Sequence, residues 1–207
     1  MNLYMLMKKI FALAAAILII NYGHTQCPPE GRSLPGKRPL SAKEKALNVK
    51  KNASAVVQTE DAQFWDIKKD LQAAKNNDRN KYTEGDYVYA EGYLVSAQEQ
   101  GPESCNCHLA DKNNKDGDVH IYIGLTKNAL KSNCIVVEIT PAYKALNTDY
   151  EQTLSALTKT KVRIYGYRLY DYMHERNSVN LCKTCKNGLW RKTCWEIHPV
   201  VKIEQAQ

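Results

Sequence analysis

The sequence predicts an all-β fold with one short helix, a small barrel of five strands. Three observations carry that expectation. Five runs rich in Val, Ile and Tyr lie between residues 86 and 204, several of them alternating apolar and polar residues. One amphipathic helix separates the third run from the fourth, and the two longest connections are polar and cysteine-bearing.

Taken in order, Lys8 and Lys9 precede an apolar run from Ile10 to Ile20, the layout of a secretory signal peptide. Its eleven residues fall short of the about 20 needed to span a membrane, so no transmembrane span is expected in the mature chain. Gly23 and Thr25 suit cleavage before Gln26. The residues before Cys27 are poor lipoprotein context, so simple export to the periplasm or beyond is expected. Removing residues 1–25 would take away two lysines and no acid, lowering the formal charge from +7 to +5. Such a mild excess is no mark of a nucleic-acid binder.

Residues 26–60 read as an extended lead-in, rich in Pro, Gly, Lys and Ala, with a weak helical stretch at Ser41–Val49. The domain proper is expected over 61–207. Its first element is a helix at Asp61–Ala74, where Phe64, Ile67, Leu71 and Ala74 recur at helical spacing.

The five strands follow. Asp86–Ala97 is the first, with Gly92 placed to let it bend. A polar connection of about twenty residues containing Cys105 and Cys107 leads to His120–Leu125, and a short link leads to Cys134–Thr140, which Pro141 ends. Thr148–Thr158 is the helix, with Thr148 and Glu151 spaced as a capping box and Tyr150, Leu154 and Leu157 forming an apolar stripe. Lys161–Asp171 and Thr193–Glu204 are the last strands, flanking a connection with Cys182 and Cys185. Three strands, a helix and two strands are the order of an OB barrel, whose ligand mouth is usually built by the connections between strands one and two and between four and five.

Several strings are similar to a family of exported bacterial proteins of unassigned activity associated with an OB-like barrel. They are Glu103–Cys107, Asp118–Ile121, Val137–Pro141, Val162–Tyr167 and Trp195–Val200, with Leu47-Asn48 and Lys51-Asn52 upstream. The resemblance covers roughly residues 40–204 and implies fold and export but no substrate. The Cys182-x-x-Cys185 pair departs from it.

Alternation places Ile121, Ile123, Ile135, Val137, Ile139, Trp195 and Ile197 inside, and His120, Tyr122, Glu138, Glu196 and His198 outside. In this topology the third strand is antiparallel to the second and parallel to the fifth; if Cys134 and Cys194, which each begin a strand, sit level and the hairpin pairs 120 with about 138, then His120, Glu138 and His198 fall level across the outer face. Two imidazoles and a carboxylate suit a divalent metal such as zinc, with Asp118 to orient or complete the set; a cross-strand ion pair is the plainer use of the same residues.

Seven cysteines in an exported chain favour disulfides. Cys105, Cys107, Cys134, Cys182, Cys185 and Cys194 are the candidates, with Cys27 the natural unpaired residue; the sequence does not set the connectivity, although a bridge from Cys105 or Cys107 to Cys182 or Cys185 would pin the two connections together. Four thiolates holding zinc are the alternative. Thirteen tyrosines, many in strands and interleaved with basic residues such as Arg163, offer either packing or a surface on which bases or sugars stack. The acidic string at 111–118 lacks a calcium loop's glycine at the sixth position, and no redox fold surrounds the Cys-x-x-Cys pair.

No established catalytic motif is present. The expected function is a binding or interaction module, more an OB-type binder than an enzyme, with a ligand surface at Tyr122, Glu138, Arg163, Glu196 and His198; the sequence does not identify the ligand, an anionic polymer such as an oligonucleotide or glycan being one class open to it. A metal-dependent, nuclease-like hydrolase using His120, Glu138 and His198 is the enzymatic alternative, and a structural envelope protein the third.

Overall fold

The computed structural model of the protein describes residues 27–53, 59–73, 79–109, 117–182, 184–185 and 187–206. The expected signal peptide and most of the 111–118 string lie outside them. Among the described residues, no helix is long and apolar enough to cross a membrane.

Six strands build the sheet: β1 (Gln63–Phe64), β2 (Tyr87–Glu99), β3 (Val119–Gly124), β4 (Ile135–Ile139), β5 (Lys161–Tyr170) and β6 (Trp195–Gln205). They run in the order β1-β2-β3-β4-β6-β5, and pairing of β2 with β5 closes the last five into a barrel. β4 and β6 are parallel, with Val137 opposite Ile197, and the other barrel pairings are antiparallel. This is the OB-like arrangement.

β2 closes the barrel by serving both neighbours. Its first half, Tyr87 to Tyr93, pairs with β5, and its second, Tyr93 to Glu99, pairs with β3 across a bulge at Leu94–Ser96. Gly92 sits at the transfer point, where a Cβ would lie 2.6 Å from the Ile123 side chain. On β5, a Cβ at Gly166 would meet the Pro199 carbonyl at 2.3 Å, so only glycine lets β6 pass this closely.

The apolar alternates fill the barrel. Ile121, Ile123, Ile135, Val137, Ile139, Trp195 and Ile197 form one buried cluster with Trp65, Leu94, Ile164 and Leu154. Asp70 pins the lower layer by accepting from Trp65 Nε1 (2.8 Å), Tyr82 Oη (2.8 Å) and Lys81 Nζ (2.6 Å).

Four short α-helices accompany the described strands. α1 (Ala42–Lys51) opens on a capping box in which Ser41 Oγ accepts from the Glu44 amide while the Glu44 carboxylate accepts from the Ser41 amide. α2 (Ile67–Leu71) follows β1. α3 (Pro141–Leu146) is capped by Thr140 and starts on proline. α4 (Tyr150–Leu157) turns Tyr150, Leu154 and Leu157 toward the core, and Tyr150 and Lys144 both grip Glu99 at the end of β2.

Three expectations are corrected. The helix expected at Asp61–Ala74 forms only over Ile67–Leu71; Phe64 belongs to β1, paired with Tyr89, so a long-range ladder outweighs the local helical spacing. Thr148 makes no capping box, because the helix begins at Tyr150 with Asp149 at its cap and no side-chain cap bond. α3 was not expected at all.

Candidate functional site

The outer face of β3, β4 and β6 carries an ionic cluster. Antiparallel register sets His120 opposite Glu138, and the parallel pairing of β4 with β6 brings His198 alongside. His120 Nε2 lies 3.0 Å from Glu138 Oε1 and His198 Nδ1 lies 2.9 Å from Glu138 Oε2. His198 Nδ1 is also 3.3 Å from Glu196 Oε1, whose carboxylate is paired with Arg191. Lys51, at the end of α1, reaches Asp171 at 2.8 Å.

These side chains leave the barrel outward, yet they do not meet solvent. Asp118, Glu138 and Glu196 are 0 % exposed, His198 1 % and His120 2 %. A second layer covers them: Lys51 from α1, the 103–108 loop, the 3-10 turn at Tyr172–Asn177 and the segment through Arg191. Trp190 stacks on His120 with ring centroids 5.5 Å apart, and His174 meets both rings edge-on. The face expected to be an open ligand surface is therefore an interior one.

Burial and charge set the protonation of the cluster. Burial opposes ionisation of Glu138, but His120 and His198 overcome it and hold the carboxyl well below its usual range. Burial likewise opposes the His198 imidazolium, and Glu138 reverses this to raise it to about 10. Asp118 is pushed up to about 6, by burial first and with only partial relief from His198. Asp171, desolvated but facing Lys51, is held at about 2.

Of the other expected ligand residues, Tyr122 is 4 % exposed and packs with Val95, Cys134, Val136 and Trp190. Arg163 is not part of this constellation: it pairs with Glu204 near the far end of β6, whereas Glu196 and His198 lie near its start. The histidine cluster expected from the sequence did not include Lys51, Asp171, His174, Trp190 or Arg191. For Lys51 a signal exists, since Leu47, Asn48 and Lys51 share one buried face of α1; the others reach the cluster from connecting segments whose course no local pattern sets.

The cysteines are also rearranged. Cys27 bonds Cys107, and Cys182 bonds Cys185, so Cys27 is not the unpaired residue and no disulfide joins the two cysteine-bearing connections. Cys105, Cys134 and Cys194 are free and buried. Cys134 and Cys194 both precede strands, but Cys194 joins the main core and Cys134 the outer Tyr122 cluster. Asn52, first residue of a glycosylation sequon, uses its side-chain amide to bind the Pro29 and Cys105 carbonyls.

A different outer face remains open. On β2 and β5, Tyr87 pairs with Tyr167, Tyr89 with Tyr165 and Glu91 with Arg163. The rings of Phe64, Tyr89 and Tyr165 run in a row at 5.3 and 5.7 Å, with Tyr87 and Tyr167 beside them at 5.3 Å. Phe64 is 58 % exposed, Tyr87, Tyr89 and Tyr167 are half-buried, and Tyr165 between them is buried at 6 %. The ladder's cations are matched: Arg163 and Lys161 bind Glu91 at 2.6 and 2.9 Å, and Lys202 binds Glu204 at 2.6 Å.

A separate cleft of about 560 Å³ opens beside Cys182, lined by Arg79, Glu175, Arg176 and Asn180. Comparison with protein-family models and with curated proteins found no match for the chain.

Proposed function

We propose that the protein is an exported OB-type binding module that takes an uncharged glycan on the aromatic ladder of Phe64, Tyr87, Tyr89 and Tyr167, backed by the buried Tyr165. The observation that carries this reading is the ladder's combination of flat rings with cations that are each already engaged by a carboxylate, Lys161 and Arg163 sharing Glu91 and Lys202 holding Glu204. Sugar rings present C–H faces that lie well on aromatic faces, and tyrosine hydroxyls and the Glu91–Arg163 pair supply polar partners at the edge.

Charge separates glycan from nucleic acid. A polyanion gains affinity by replacing its counterions with the protein's lysines and arginines, and here each ladder cation already faces a carboxylate. The disulfides fit an oxidising compartment, where extracellular polysaccharide is at hand. The hydrolase alternative is weakened by the sealed His120–Glu138–His198 cluster, which leaves a substrate no approach.

Retention of the mature protein on cellulose, chitin and an insoluble β-1,3-glucan, beside an immobilised oligothymidylate, tests the reading. Retention on at least one glycan that falls at least tenfold in Tyr89→Ala, with none on oligothymidylate, is the expected result. Retention on the oligonucleotide alone, or binding that Tyr89→Ala leaves unchanged, would refute it.

A further inference from the structure

We infer that the sealed cluster is a site for one divalent cation of the zinc class, held by Asp118, Glu138 and His198, which ties three barrel strands together beneath the covering layer.

One ligand atom from each of these three residues lies within 4.8 Å of the others, near enough for small side-chain shifts to close them on an ion at about 2.0–2.2 Å. Glu138 faces both imidazoles as an ion pair, yet hydrogen bonding leaves several of these atoms over. Asp118 Oδ1, both Glu138 carboxylate oxygens and Nε2 of His120 and His198 have no hydrogen-bond partner. The approach of His120 to Glu138 at 3.0 Å is thus close without being aligned as a hydrogen bond. Polar atoms this deeply buried are ordinarily satisfied, and several unsatisfied at one point call for a missing partner.

Charge leads to the same conclusion. Four fully buried carboxylates, Asp118, Glu138, Asp171 and Glu196, face two buried permanent cations, Lys51 and Arg191. Two negative charges remain, to be offset by protons on the imidazoles or by a cation in their place, since uncompensated charge in an interior is costly. One divalent ion offsets both. The donors then select its class: an imidazole among carboxylates disfavours magnesium and calcium. A second group, Glu103, Cys105 and Asp118, shares Asp118 and places a free thiol 3.7 Å from its carboxylate, a further donor to the taste of zinc.

The surroundings assign the role. The three ligands are at most 1 % exposed, so the site has no open position for substrate and resembles a structural rather than a hydrolytic centre. The neighbours of the ligands are the covering layer itself: Lys51 of α1 and the loop tied down by Cys27–Cys107. An ion here joins the start of β3 to β4 and β6 directly under the segments that lie over them.

The test uses the untagged, full mature chain purified without chelator. About one zinc per chain by elemental analysis is expected, with a melting temperature that falls on chelation and recovers on adding zinc but not magnesium. Cobalt added to the stripped protein should give visible d–d bands, and Asp118→Asn should lose both metal and zinc dependence while Tyr89→Ala keeps them. Sub-stoichiometric metal together with identical melting in zinc and chelator would overturn the site, as would an Asp118→Asn protein that holds zinc like wild type. If Asp118→Asn does not fold, absence of d–d bands in the stripped wild type is decisive against it. In that case the histidines carry the two missing charges as protons, visible as imidazolium by NMR at pH 8.

Discussion

The outer face of β3, β4 and the start of β6 and the outer face of β2, β5 and the end of β6 are built alike, from every second residue of neighbouring strands. Glu138 on the first is fully buried and touches two histidines, whereas Glu91 on the second, bound by Arg163 and Lys161, keeps 21 % of its side chain exposed. Strand alternation decides only that a side chain leaves the barrel. Whether it then meets water depends on segments far away in sequence, and here α1, the 103–108 loop and the Tyr172–Asn177 turn cover one face and leave the other bare. The same residue types consequently do different work: a buried network whose loss costs the fold, and a surface whose loss costs little stability.

The sharpest way to break this contrast is to remove the centre of the covered face. Glu138→Gln leaves two imidazoles without their carboxylate, and we expect about 3–5 kcal/mol of lost stability, read from the urea midpoint. A loss below 1 kcal/mol would mean that the face is open to water. Next comes Gly166→Ala, which drives a methyl into the Pro199 carbonyl where β5 and β6 cross; about 1–3 kcal/mol is expected by the same measurement.

Acidity probes the covering layer through Asp171. Its folded-state carboxyl is held at about 2 by Lys51, below the about 3.9 of an unfolded chain, so its contribution is complete above pH 4 and disappears as pH falls toward 2. We expect Asp171→Asn to be less stable than wild type at pH 6 and the gap to narrow by pH 2.5. A gap independent of pH would show that the Lys51 contact is absent.

Thiol chemistry separates interior from surface without touching stability. Burial pushes Cys134 and Cys194 up to about 12 and raises Cys105 as well. Native protein should therefore resist iodoacetamide at pH 8, and unreduced protein unfolded in guanidinium should show three reactive thiols. Five would mean that one of the two disulfides does not form. The smallest effect belongs to the open face: Tyr89→Ala should cost about 0.5–1 kcal/mol, the size of a cross-strand pair.

How much of this the sequence disclosed follows the range of the interactions. The barrel strands were legible because alternation is local, and with topology it also put residues 120, 138 and 198 on one level. The cover was not: Lys51 and Asp171 are 120 residues apart, and Cys27 finds Cys107 across 80. Phe64 misled for the same reason, its helical spacing being local and its partner Tyr89 remote. Arg163 was read as a ligand residue of the histidine face because its strand was known but its position along β6 was not.

Tyrosine-ring NMR during titration with an oligosaccharide cut from whichever polymer retains the protein tests most directly that binding belongs to the bare face. We expect shifts confined to Tyr87, Tyr89, Tyr165 and Tyr167, with Tyr122 and the Trp190 indole unmoved. Shifts at Tyr122 and Trp190 with the ladder silent would contradict it and return the ligand to the histidine face.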